Sequence, residues 1–142
     1  MRTLAPLALV LVAATAYGVW YQRSRGRITT GKAKKQQKSL ESGLTSADIG
    51  ADLGSRVTLV QFSSAFCSPC RATRALLTDI TADLPDVSHV EIDAESHLDL
   101  VRRLDIRSTP TTLILNGSGV EVGRAVGAPK RDQVLTALAA VK

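Results

Sequence analysis

From residue 56 onward, short β-branched runs alternate with stretches of helical period, and that alternation leaves few folds open. Arg56-Val57-Thr58-Leu59-Val60-Gln61-Phe62 has the composition of a strand. Pro69 then falls where it suits the first turn of a helix. That helix is expected over Cys70–Leu84, with Ala72, Ala75, Leu76 and Ile80 on one face and Pro85 as its stop. A second strand is expected over Val87–Asp93 and a short helix over Ser96–Leu104, carrying Leu98, Val101 and Leu104. Thr111–Asn116 reads as a third strand, Asn116-Gly117-Ser118-Gly119 as a hairpin turn, and Val120–Val126 as the returning fourth. Lys130–Val141 closes as an amphipathic helix with Val134, Leu135, Leu138 and Val141 inward. Ahead of all this, Thr45 or Ser46 caps a short helix over Ala47–Leu53 that Gly54 ends. Strand–helix–strand order implies a parallel crossover, and the terminal hairpin adds an antiparallel edge. The class is α/β: a mixed four-stranded sheet flanked by helices.

The first 44 residues follow other rules. Leu4–Tyr21 is an 18-residue run without a charge, closing in Trp20-Tyr21. As a helix rising about 1.5 Å per residue it spans roughly 27 Å, enough for a thin hydrocarbon core. The Trp-Tyr pair suits a membrane interface. The alternative is a cleaved signal peptide, since Ala14-Thr15-Ala16 has the small-x-small form of a cleavage site. Downstream come Arg23, Arg25, Arg27, Lys32, Lys34, Lys35 and Lys38, against Arg2 and the terminal amine in front. This asymmetry places the C-terminal domain on the cytoplasmic side of the membrane. The division expected is a transmembrane anchor over 1–21, a basic flexible tether over 22–44, and one folded domain over 45–142.

Charge follows the same boundary. The net charge of +5 hides eight Lys/Arg and no Asp/Glu in residues 1–40, against ten basic and thirteen acidic side chains in residues 41–142. The folded part is therefore mildly acidic, and aromatics make up only 4% of the chain. Nucleic acid is excluded as a partner.

Two cysteines, Cys67 and Cys70, stand where the first strand gives way to the helix. A helix start presents free backbone N–H groups and the positive end of its dipole, which stabilise a thiolate. Two intervening residues put both sulfurs within bonding reach, and Pro69 stiffens the turn. Cys67, the more exposed, is expected to attack a substrate disulfide, and Cys70 to resolve the mixed disulfide. Half of a zinc site is the competing reading of any Cys-x-x-Cys. No second pair exists here, and His89 and His97 lack the matching spacing, so no metal is expected.

Over residues 45 to 142 the sequence resembles the thioredoxin family. The similarity runs through Gln61-Phe62-Ser63-Ser64-Ala65-Phe66-Cys67-Ser68-Pro69-Cys70, through Ile106-Arg107-Ser108-Thr109-Pro110-Thr111, and through Gly127 after the fourth strand. The resemblance implies a thioredoxin-like fold and a cis Thr109–Pro110 bond packed against the cysteines. It also implies a substrate groove formed by Phe66, Ser68, Pro69, Thr109, Pro110 and Gly127. Four positions depart from the family's usual residues: Gln61 stands for a buried Asp, His89 for a Lys, Phe66 for a Trp and Ser68 for a Gly. A neutral amide at 61 cannot accept the proton of the resolving thiol, which leaves His89 or water for that role; the other reading of His89, and the favoured one, is a satisfied structural histidine. Arg71 and Arg74 read as solvated residues of the helix face.

The expected function is a membrane-tethered, monomeric thiol–disulfide oxidoreductase. It works on protein disulfides and dithiols, takes no cofactor, and receives electrons from an unidentified donor. The alternative is a non-catalytic adaptor that holds a membrane partner in the Thr109-Pro110 groove.

Overall fold

The computed structural model describes residues 12–20, 28–30 and 43–142. In chain order they form α1 over residues 12–20, β1 (Ile28–Thr30), α2 (Ser46–Ile49), β2 (Val57–Ser63), α3 (Ser68–Ala82), β3 (Val87–Asp93), α4 (Leu98–Arg103), β4 (Thr111–Asn116), β5 (Glu121–Val126) and α5 (Arg131–Ala140). β2 is the centre: it pairs parallel with β3 and antiparallel with β4, and β4 pairs antiparallel with β5. The mixed four-stranded core of the sheet is as the pattern required.

A fifth strand lies on its edge. β1 pairs antiparallel with β5, so the order is β1-β5-β4-β2-β3. This corrects the reading of residues 22–44 as a featureless tether at three positions. Ile28-Thr29-Thr30 is β-branched and finds in β5 a row of unpaired backbone groups to bond. It is corrected again at Leu44, which is buried in the core and donates its N–H to the Gly119 carbonyl at 2.9 Å, so the domain begins before residue 45. Residues 22–27 and 31–42 of the tether lie outside the described residues. So does much of the expected anchor over 1–21. Among the described residues no helix is long and apolar enough to cross a membrane.

The sheet separates two apolar layers. Val60, Phe62, Ile92, Leu113 and Leu115 meet Leu100, Leu104, Leu44 and Ile49 on one face. On the other, Val57, Leu59, Val87 and Ile114 meet Leu77 and Ile80 of α3 and Val134, Ala137 and Leu138 of α5. All seven residues of β2 are buried, as a strand covered on both faces requires. Arg56 ties the rim: it pairs with Asp86 and donates to the carbonyls of Leu138 (2.7 Å) and Val141 (3.3 Å) at the end of α5.

The helix faces need correction. α3 buries Cys70, Thr73, Leu77 and Ile80, whereas Ala72 and Ala75 are exposed. Alanine marks no face strongly, and the larger Leu77 decides the rotation. Likewise α4 buries Leu100 and leaves Leu98 half-exposed, and α5 buries Ala137 in place of Leu135. Helix ends shift too. α2 is capped by Thr45 through a reciprocal pair with Asp48 and stops at Gly50, whose φ of 69° is left-handed, well before Gly54. α3 starts two residues earlier than expected, with Cys67 as its N-cap, and ends at Asp83 before Pro85 is reached.

Candidate active site

The cysteines join in a disulfide at the first turn of α3. Cys67 is the N-cap: its Sγ accepts from the backbone N–H of Cys70 at 3.2 Å. One sulfur is thus aligned on the helix's free N–H groups, where negative charge on it is favoured. Cys67 lies at the rim, partly exposed, while Cys70 is only 1% exposed. The expected asymmetry of an outer and an inner cysteine is present in the geometry.

The residues read as the groove gather at the same end of the sheet. Phe66 is 99% exposed, and Ser68 and Pro69 are exposed in the first turn. The Thr109–Pro110 peptide is cis. Gly127 has a φ of 87°, and its N–H donates to the Pro110 carbonyl at 2.8 Å, which joins the two segments directly. A side chain at that φ is strained, so glycine is required there. Ser64, not singled out by sequence, lies 3.1 Å from the Thr109 hydroxyl and links the two loops. Only the folded register brings 64 and 109 together.

Behind the disulfide the sheet turns polar. Gln61 is fully buried, and its Nε2 donates to the Cys70 carbonyl and to Ser63 Oγ, both at 2.9 Å. Its Oε1 accepts from His89 Nε2 at 3.2 Å, and His89 Nδ1 lies 3.5 Å from the Thr78 hydroxyl. His89 therefore carries its proton on Nε2, and burial holds its pKa below the ordinary value, against the opposing pull of Glu91. Glu91 is paired with Arg74, whose terminal nitrogen donates to one carboxylate oxygen at 2.7 Å and whose Nε pairs with the other. Burial pushes its carboxyl up, but the Arg74 and Ser63 hydrogen bonds outweigh that and leave it below the usual range. A cleft of ≈ 380 Å³ opens beside Cys70, lined by Ser63, Ser64, Arg71, Arg74 and Glu91 among others. Among the described residues no group of three or more His, Cys, Asp or Glu side chains converges as a metal site.

A helix-capping thiol paired with a buried thiol can accept and release a disulfide by exchange. Comparison with known proteins points the same way. The family model described as "Thioredoxin" matches residues 43–140. The thioredoxin of Chlamydia muridarum is 32% identical over 93 residues, covering 65% of this chain and 90% of that protein. Thioredoxin H5 of rice, Oryza sativa subsp. japonica, is 32% identical over 77 residues, which is 54% of this chain and 56% of the rice protein. The chain thus spans little more than half the length of that plant relative. Among solved structures, thioredoxin of Nicotiana alata superposes with a TM-score of 0.55 at 25% identity, covering 77% of this chain and 85% of that one. Thioredoxin of Fasciola hepatica gives 0.56 at 22% identity, covering 62% and 83%, a likeness of fold.

Proposed function

The chain belongs to the thioredoxin family, a family of thiol–disulfide oxidoreductases, and from that premise we propose that it exchanges protein disulfides through Cys67 and Cys70 without a cofactor. The observation that carries this reading is the disulfide itself, with one cysteine at the rim on a helix start and the other buried one turn in. In the reductive direction the Cys67 thiolate attacks a substrate disulfide, and one substrate sulfur leaves as a thiolate. Cys70 then attacks Cys67 Sγ, which releases the second substrate sulfur and leaves Cys67–Cys70 oxidised. Phe66, Ser68, Pro69, Thr109 and Gly127 form the surface on which an extended substrate segment lies, with Pro110 buried beneath it. Insulin reduction by the full chain tests the reaction. Cys67→Ser abolishes it, and Cys70→Ser accumulates a mixed disulfide seen on non-reducing gels. Full activity in Cys67→Ser overturns the assignment of the attacking sulfur.

We infer further that the domain is tethered to a membrane and works at its cytoplasmic face as a monomer. The uncharged run Leu4–Tyr21 and the seven cations between Arg23 and Lys38 support this. In that compartment the pair is kept mostly reduced by a dithiol donor, and the protein acts as a reductase. Labelling Cys67 in intact cells with a membrane-impermeant thiol reagent tests the side, and carbonate extraction of membranes tests the tether. Labelling without lysis places the domain outside; release of the protein by carbonate removes the anchor.

A further inference from the structure

Resting on the redox reading above, we propose that Glu91 is the proton acceptor for the resolving thiol Cys70, reached across the cleft beneath the start of α3. The resolving step needs such a group. When Cys70 Sγ bonds to Cys67 Sγ, the bond between Cys67 and the substrate breaks, and its electron pair leaves on the substrate sulfur. The Cys70 proton must go elsewhere as this happens, and the departing thiolate later takes one up. Cys70 is 1% exposed, and a thiol buried in that way ionises reluctantly without a partner.

The side chain bonded nearest to Cys70 cannot serve. Gln61 donates its amide hydrogens to the Cys70 carbonyl and to Ser63 Oγ, and its oxygen is taken by His89. An amide has no basic electron pair to hold a proton at neutral pH. His89 lies beyond Gln61, with Nε2 committed to Gln61 and Nδ1 facing Thr78. Neither nitrogen faces the sulfur through a continuous line of bonds.

The cleft offers another path. Cys70, Ser63, Arg74, Glu91 and Asp93 all line it, and its ≈ 380 Å³ admits solvent to carry a proton. Of the two carboxylates, Asp93 sits at the exposed end of β3, where it accepts from the Ser96 hydroxyl and the Glu95 N–H. Glu91 is better placed. It stands directly opposite Gln61 in the parallel β2–β3 register, on the same face of the sheet. Its side chain is only 23% exposed and is held by Arg74, with Ser63, fixed by Gln61, lining the same cleft. The charged and titratable groups around it are Arg74 and Arg71 from α3, and His89 and Asp93 from its own strand. Arg74 engages both carboxylate oxygens and keeps the group ionised, which holds it unprotonated in the cleft at the cost of basicity. The base that β2 lacks at position 61 is carried by the neighbouring strand at the paired position.

Stopped-flow with the reduced full chain and a small aromatic disulfide separates the two chemical steps. A first, concentration-dependent release of aromatic thiolate reports attack by Cys67; a second, unimolecular release reports resolution by Cys70. Glu91→Gln leaves the first phase in place and slows the second about 10- to 100-fold near pH 6, the low end for general bases because solvent intervenes. The difference closes at about pH 9.5, where hydroxide removes the proton directly. Glu91→Asp retains most of the rate. Arg74→Met keeps the carboxylate but removes its cation, and moves the acidic limb of the second phase to higher pH. A second phase in Glu91→Gln equal to wild type near pH 6, or slowed equally at every pH, overturns the proposal. So does an unshifted limb in Arg74→Met, which carries the test if Glu91→Gln fails to fold. Absence of the first phase in the wild type instead overturns the redox reading itself.

Discussion

One face of β2 carries two different surfaces end to end under a single helix. At its first half, Val57 and Leu59 pack against Leu77, Ile80, Ile114 and Val134 in a dry layer. At its second half, Gln61 and Ser63 are equally buried but meet His89, Glu91 and Arg74 through hydrogen bonds and an ion pair. The apolar half holds α3 in place. The polar half supplies groups that can move protons, and it is tolerable only because nearly every buried polar atom there has a partner. Stability and chemistry are thus assigned to different turns of the same helix.

The sharpest way to break this division is Leu77→Ala. Leu77 is fully buried in the dry half, and its truncation is expected to cost about 2–5 kcal/mol in urea unfolding. Both phases of disulfide exchange should keep their rates in the molecules that remain folded. A slowed second phase would join the two halves into one functional unit.

A smaller effect comes from pH, and between pH 7 and 5 it is expected from the polar half. Burial holds His89 below its ordinary pKa, so the unfolded chain binds its proton more readily than the folded one. Stability is therefore full above the unfolded value near 6.5 and falls as pH drops below it. Urea midpoints taken between pH 7 and 5 should fall for the wild type and fall less for His89→Gln, which cannot titrate. Equal slopes would locate the acid sensitivity elsewhere, because Glu91 beside it has a lowered pKa and loses its contribution only at more acidic pH.

The smallest effect has the opposite sign. Thr112 lies opposite Gln61 on β4, and its hydroxyl is buried without a hydrogen-bond partner. Thr112→Val removes that cost at nearly constant shape and should raise stability by up to about 1 kcal/mol. A lower urea midpoint would give the hydroxyl a bonded role in the polar half.

The sequence makes some of this legible and hides the rest for physical reasons. Val87–Asp93 and Thr111–Asn116 form strands with the expected bounds, because each is a β-branched run with a turn signal at its edge. The Cys67–Cys70 pair and the cis Thr109–Pro110 bond also stand where the motifs put them. β1 was invisible: three residues amid cations show no period, and their pairing depends on an edge that exists only after β5 has formed. The buried face of α3 is turned by about one position from the one the pattern predicts, since small alanines give a weak signal beside Leu76 and Leu77. Glu91 carries no local signal, because a single acid in a strand looks like an ordinary solvated position. Its placement opposite Gln61 is a matter of inter-strand register, and register is fixed by the whole sheet, not by local sequence.

The five-strand order has a consequence for solubility. A sheet ends in two rows of open backbone groups, and each is an invitation to another chain. Here the two rims are guarded by unlike means. The β5 rim is covered over Gly123–Ala125 by a strand borrowed from the leader, whereas among the described residues no strand pairs with the outer edge of β3, which carries His89, Glu91 and Asp93. A fragment cut to begin at Gly43 uncovers the first rim, where Arg124 is the one charge between Gly123 and Ala125 and is already paired with Glu121. Leader and domain are therefore joined by more than a covalent thread, and shortening the one makes the other stickier.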